Sequence, residues 1–397
     1  MADNPREALT FAISDRELER RWQAVRTRMK EQEINTLIMQ DSDEWNGGYV
    51  KWFTDIPART GSAMTVIFPV DDLMTTITAG GKPPGDLGPP AWTMRGVKDR
   101  LTAPFFSSIR YRTTLDAELA VEALEKRRRG RIGIVGEGRM AYTFCRYLFD
   151  HMPEAAFVDA TDLVDEIKAI KSAEEIDLIR KAAALQDEAM EYARSVIRPG
   201  RKVSEIVADV VHKVTMLGSE EQLIMAGCGP LGKPAPMQKR HFQGRTLREN
   251  EQFTLMIEVN GPGGMYTELG RLFFTGEPSA ELIDAYELCR DAQQVTLNLL
   301  KPGANPADIW QANNEFLVKN GCLPETRLYA HGQGYDLVER PAILDDEPMK
   351  LRANMNVTVH PTIGTDRVWA WVCDNYLITE SGVSPCLHRT PQKIFSV

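Results

Sequence analysis

Apolar and polar positions follow two different textures along this chain. Residues 15–33, DRELERRWQAVRTRMKEQE, place apolar side chains at helical intervals among charges, which predicts an amphipathic surface helix. INTLIMQ then reads as a short buried strand. SAMTVIFP and LMTTITAG predict two more strands, joined through the polar turn Val70-Asp71-Asp72. Residues 81–92, GKPPGDLGPPAW, are rich in Gly and Pro and predict a loop. RIGIVGE (131–137) is a further strand, with MAYTFCRYLFDHM as the helix after it. Strands alternating with helices over residues 1–160 predict a small α/β domain.

Beyond that point the pattern lengthens. DATDLVDEIKAIKSAEEIDLIRKAAALQDEAMEYARSVI holds a capping signal, Ser172 followed by Glu175, and then a long apolar stripe. Pro199-Gly200 ends that helix, and VSEIVADVVHKVTML supplies another. Strand-like runs (FTLMIEV, RLFFTG, NVTVHPT, VCDNYLIT) alternate with helices at 279–300 and 306–319. Residues 165–397 are thus expected to form an α+β domain around a largely antiparallel sheet. Within it, TLMIEVNGPGGMYTELGRLFF (254–274) sets Glu258 and Glu268 on either side of a Gly-Pro-Gly-Gly turn in an otherwise apolar run. A buried carboxylate there is costly unless something pairs with it, so the two glutamates either face solvent or line a site.

Composition narrows the function. The chain has 397 residues, 43% apolar and 26% charged, an ordinary soluble balance. Its net charge of −9 and scattered basic residues argue against nucleic acid; the one basic run, Lys126 to Arg129, reads as a solvated loop. No export signal opens the chain, and no apolar window is long enough to span a membrane. Six cysteines without a Cys-x-x-Cys pair read as reduced thiols, and cytoplasmic localisation is expected. The glycines of GIVGEGRM, at 133, 136 and 138, have the wrong order for a dinucleotide fingerprint.

IKAIKSAEEIDLIRKA, LKPGANPADI, AHGQGYDLVERP, LRANMNVTVHP and DNYLITESG occur in that order. Together they resemble the pita-bread (M24) superfamily of aminopeptidase P, prolidase, methionine aminopeptidase and creatinase. The resemblance implies a pita-bread α+β domain over residues 165–397 behind a smaller creatinase-type α/β domain. In the family's peptidases two aspartates, a histidine and two glutamates hold two metal ions. Here GRLFF places Glu268 at the second aspartate, while counting from RTLREN places Met256, two residues before Glu258, at the first. His331 is kept, His360 replaces a glutamate, Cys373 stands at the last glutamate, and Val338 replaces a further histidine.

Two readings of this altered set stay open. In the first there is no metal: as in creatinase and ectoine hydrolase, a histidine (His331 or His241) and the carboxylates Glu258 and Glu268 cleave a C–N bond in a small carboxylate-bearing metabolite. In the second, one divalent ion sits on Glu268, His331 and His360, with Cys373 as a further donor, in a hydrolase or lyase resembling Xaa-Pro peptidases or dimethylsulfoniopropionate lyases. The resemblance also implies a homodimer in which Arg59, near Trp52 and Phe53, enters the neighbour's cleft. There Arg59 and Arg271 would hold the substrate carboxylate, and Trp52, Phe53 and His360 would line the substrate site. A binding module without catalysis is the remaining class.

Overall fold

Ser14 caps the first helix by accepting a hydrogen bond from the Glu17 amide at 3.2 Å. Helix α1 (Asp15–Glu31) then buries Leu18, Trp22, Val25 and Met29 along one stripe, as its periodicity predicts. The computed structural model describes residues 7–9, 13–58, 61–81, 84–104 and 106–397. The chain divides into two compact units, Met1–Lys168 and Ala169–Val397.

The first unit is built on six strands: β1 (Thr36–Asp41), β2 (Met64–Pro69), β3 (Met74–Ala79), β4 (Val97–Ala103), β5 (Arg131–Ile134) and β6 (Ala156–Asp159). Their order is β4-β3-β2-β1-β5-β6, with β1–β2 and β2–β3 antiparallel and the other pairs parallel. Helices α2 (Gly48–Thr54), α3 (Leu115–Leu124), α4 (Tyr142–His151) and α5 (Thr161–Lys168) complete it. Ile38, Ile67, Ile132, Phe144 and Leu148 meet in one core cluster. The two strands absent from the sequence reading, β4 and β6, are the sheet's edges. An edge strand tolerates charge, and the Lys-Asp-Arg run of β4 masks its alternation. The basic run at 126–129 is engaged from solvent, Arg127 by Asp71, Arg128 by Glu125 and Arg129 by Glu154.

The second unit opens on a capping box. Ser172 Oγ accepts from the Glu175 amide at 3.2 Å, and Glu175 accepts from the Ser172 amide at 2.7 Å. Helices α6 (Ala173–Val196) and α7 (Val203–Met216) follow, then the antiparallel strands β7 (Gln222–Pro230), β8 (Glu251–Asn260) and β9 (Tyr266–Phe274). After α8 (Ala280–Leu297) and α9 (Pro306–Lys319) come β10 (Ala330–Gly332), β11 (Glu339–Ala342), β12 (Asn356–Val359), β13 (Thr362–Gly364), β14 (Trp369–Trp371), β15 (Asp374–Thr379), β16 (Gly382–Val383) and β17 (Phe395–Ser396). One sheet has the order β17-β9-β8-β7 and another β11-β10-β12-β15-β16; β13 and β14 pair as a hairpin. The Gly270 amide donates to Cys373 O at 3.1 Å, bridging the two larger sheets. Among the described residues no helix is long and apolar enough to cross a membrane.

Strand periodicity decides which residues face the helices. Leu255, Ile257, Leu269 and Phe273 pack with Ala189, Ile206 and Val210 of α6 and α7. Val357, Val359, Tyr376 and Ile378 pack with Leu297 and Ile309 of α8 and α9. The alternate positions on the same strands, including Glu258, Glu268, Thr358 and Asn375, therefore point away from those helices. They are buried all the same. The functional candidates gather on that face.

Candidate metal centre

Glu258 and Glu268 are direct cross-strand partners in the β8–β9 register. Residues opposite one another share a face, so both glutamates project to the same side. Met256, which the count from RTLREN sets at the first aspartate, lies opposite Gly270, one step further along the hairpin. It packs with Trp371 and Cys373 in an apolar cluster. Only a glycine fits at 270, because a Cβ there would lie 1.8 Å from Trp371 Cζ3.

His331, on β10, and His360, just after β12, complete the constellation. Their rings stand 5.2 Å apart at 69°. The His360 Nε2 atom lies 4.0 Å from a Glu268 carboxylate oxygen and is buried with no hydrogen-bond partner among the described residues. His331 Nδ1 is 3.0 Å from Gly332 O. A carbonyl only accepts, so Nδ1 carries the hydrogen and the Nε2 lone pair is free to bind a Lewis acid. One donor atom each from Glu268, His331 and His360 lies within 4.8 Å of the others. Two imidazoles and a carboxylate form a donor set that suits a borderline divalent ion such as Zn or Fe. The orphaned His360 nitrogen is what such an ion would satisfy.

The electrostatics agree with that fit. Burial pushes the His331 imidazole down to about 4, and burial followed by the neighbouring His331 holds His360 well below its usual value. Both rings are therefore neutral near pH 7, the form that ligates. Burial raises the Glu268 carboxyl to about 7; burial and then the Glu268 charge raise Glu258 well above the carboxylate range. The two carboxyls titrate as a pair that keeps a proton between them.

Amide side chains hold the pair in place. Gln333 Nε2 donates to Glu258 Oε1 at 2.9 Å and to Leu337 O at 3.0 Å. Gln333 Oε1 accepts from Asn375 Nδ2 at 2.8 Å, and Asn375 Oδ1 accepts from the Glu268 amide at 2.7 Å. Neither residue was picked out from the sequence. Each stands two positions from a residue the sequence marked for the site, His331 or Cys373, and strand periodicity offered that signal.

Other expected site residues lie elsewhere. Arg271 was expected to bind substrate, yet it faces the opposite side of β9, fully buried. All five of its N–H groups are taken: by Pro391 O, Gly270 O, Cys373 O, Thr390 O and the Asp374 carboxylate. It is a structural ion pair. Trp52 and Phe53, also expected at the substrate, are buried in the first unit on α2, where Phe53 packs edge-on to Phe68 at 4.9 Å. Their rings build that core and present no surface to a ligand. His241 is exposed on the turn Arg240–Phe242, beside the Phe242 ring, and does not join the trio. Cys373 is buried against Thr358 Oγ1 at 3.3 Å. Burial, then the Glu268 charge, pushes its thiol well above its usual value, and it too lies outside the trio. Arg59 lies outside the described residues.

A helix-backed pair of sheets with a carboxylate hairpin and facing histidines has the architecture of the pita-bread hydrolases. Residues 177–380 match the family model described as Metallopeptidase family M24, and the chain belongs to that family. It is 26% identical over 239 residues to the probable dipeptidase PepE of Mycobacterium tuberculosis, a match covering 58% of this chain and 62% of that relative. It is 24% identical over 252 residues to the Xaa-Pro dipeptidase of Pyrococcus furiosus, covering 62% and 71%. Among solved structures, dipeptidase PepE from Mycobacterium ulcerans superposes with a TM-score of 0.77 at 19% identity, covering 98% of this chain and all of that one. The His350Ala form of Escherichia coli aminopeptidase P superposes with a TM-score of 0.70 at 18% identity, covering 96% of each chain.

Proposed function

We propose that this chain is an M24 hydrolase whose centre takes one divalent metal ion, on Glu268, His331 and His360, and cleaves a C–N bond in a small carboxylate-bearing compound. The observation that carries the single-metal reading is the buried, unpartnered His360 Nε2 beside Glu268 and His331. The cluster of Met256, Trp371 and Cys373 supports one ion rather than two, because thioether and indole offer no hard donors along that row. This favours the metal-bearing reading of the sequence over the metal-free one.

When bound, the ion supplies Lewis acidity to the scissile group. The protein's own groups supply the rest. Glu258 lies beside the trio with a raised proton affinity, so its carboxyl can take up the proton released as a water oxygen bonds to the scissile carbon and deliver it to the leaving nitrogen as the C–N bond breaks. Gln333 aims the Glu258 oxygen through its 2.9 Å hydrogen bond. Neutral His331 and His360 keep both imidazoles available as ligands.

The relatives' names make dipeptides the natural comparison substrate. A preference for other small amides is supported by His360, which stands where the resemblance expects a carboxylate. It is supported also by Val338, half exposed where the resemblance expects a histidine. Elemental analysis of the purified protein tests the centre, and a substrate panel of Xaa-Pro dipeptides, N-acyl amino acids and β-substituted carboxylates tests the chemistry. One equivalent of metal with chelator-sensitive amide hydrolysis supports the proposal. Two equivalents with efficient Xaa-Pro cleavage, or release of an alkene product, would overturn it.

A further inference from the structure

The face that carries Glu258 and Glu268 does not end at the carboxylates. In the β7–β8 register Leu223 lies directly opposite Glu258, and Met225 lies opposite Met256. Cross-strand partners share a face, so Leu223 extends the row of the two glutamates and Met225 extends the row of Met256 and Gly270. Leu223, Met225, Met237 and Trp369 are each half-buried and pack against the buried core of Met256, Trp371 and Cys373. The Trp369 and Trp371 rings lie 6.0 Å apart, tilted by 32°. An apolar wall with a partly open rim therefore begins one residue from the acidic pair.

We infer that this wall is a specificity subsite that receives an apolar substituent flanking the scissile C–N bond. The inference rests on the proposed hydrolase reading for what is cleaved, but the wall itself is independent of any metal. Polar side chains would satisfy a hydrophilic substrate group. The rim offers thioethers, an alkyl group and an indole face, which reward burial of aliphatic or aromatic surface and make no hydrogen bond to a charged group. Methionine suits such a role because its unbranched chain adapts to the shape placed against it. The substrate class is an amide carrying a carboxylate on one part and an aromatic or branched aliphatic group next to the bond that breaks.

Ligand binding to the full chain tests this without relying on turnover. Tryptophan fluorescence and calorimetry would compare N-acetylglycine with N-benzoylglycine and N-acetylphenylalanine, in zinc-loaded and chelated protein. At least one of the two apolar ligands should bind tenfold or more tightly than N-acetylglycine. That ratio should fall towards one in Met237→Gln, and in Trp369→Leu if the first variant does not fold. Equal affinities in the wild type, or a ratio that survives both substitutions, would overturn the subsite. Absence of zinc binding together with a preserved ratio would instead overturn the metal-hydrolase reading and leave the subsite standing.

Discussion

Strand β9 carries two buried charged residues three positions apart, and their surroundings are opposite in kind. Arg271 faces the helix-backed side, where five hydrogen bonds fill its guanidinium and Asp374 balances its charge. Glu268 faces the other side, where its neighbours are a second glutamate, two neutral imidazoles and an apolar cluster. A fold that can satisfy a buried charge this completely on one face of a strand does not leave the other face unbalanced for stability. Burial without a counter-charge is costly, and the unbalanced side is the one on which the proposed metal ion would restore the balance.

Breaking each side should give different losses. Glu268→Gln should lower kcat by about 10²–10⁴, matching the several kcal/mol a bound Lewis acid contributes, and elemental analysis should show the metal lost with it. Arg271→Leu should instead unfold the second unit more readily, by about 3–5 kcal/mol in urea titrations, because Asp374 is left as an uncompensated buried charge. The double change Arg271→Met with Asp374→Leu should recover part of that loss. A large activity defect in folded Arg271→Leu with unchanged stability would contradict the contrast.

Smaller effects sharpen it. Gln333→Leu removes the donor to Glu258 and leaves Asn375 Nδ2 without its closest acceptor. The expected cost is about 1–3 kcal/mol of stability, with a fall in kcat larger than any rise in KM. The acidity of the pair gives the finest test. Glu268 titrates above its ordinary 4.5 in the fold, so its stabilising contribution is complete below that value and is lost as pH rises through about 7. His331 is depressed, so its contribution is present above 6.5 and is lost as pH falls through about 4. The two effects oppose each other between about pH 4.5 and 6.5, so metal-free protein should lose melting temperature only above about pH 6.5, where the carboxyl alone still titrates, and added zinc should flatten that slope. In chelator at about pH 8, Glu268→Gln should melt above the wild type. Calorimetric scans with and without chelator read all three outcomes.

The sequence by itself determined most of the element types and pointed to three of the residues that gather at the candidate centre. Apolar periodicity located α1, the long capped α6 and the central strands of both units, because burial imposes a 3.6- or 2-residue repeat on the chain. The ordered motifs marked Glu268, His331 and His360 for the cleft. Tertiary structure decided what depends on register and facing. Counting from flanking motifs could not say which residue opposes Glu268, because the hairpin turn sets the register, and only the β8–β9 pairing puts Glu258 across from it. Arg271 looked like a ligand for substrate because its charge is visible in sequence, whereas Asp374, 103 residues away, is its partner only once β9 and β15 are brought together. Trp52 and Phe53 likewise became core when α2 folded onto its sheet. Period and composition are local properties, written residue by residue, but the compensation of a buried charge is a contact between distant segments, and only the packed chain makes that contact.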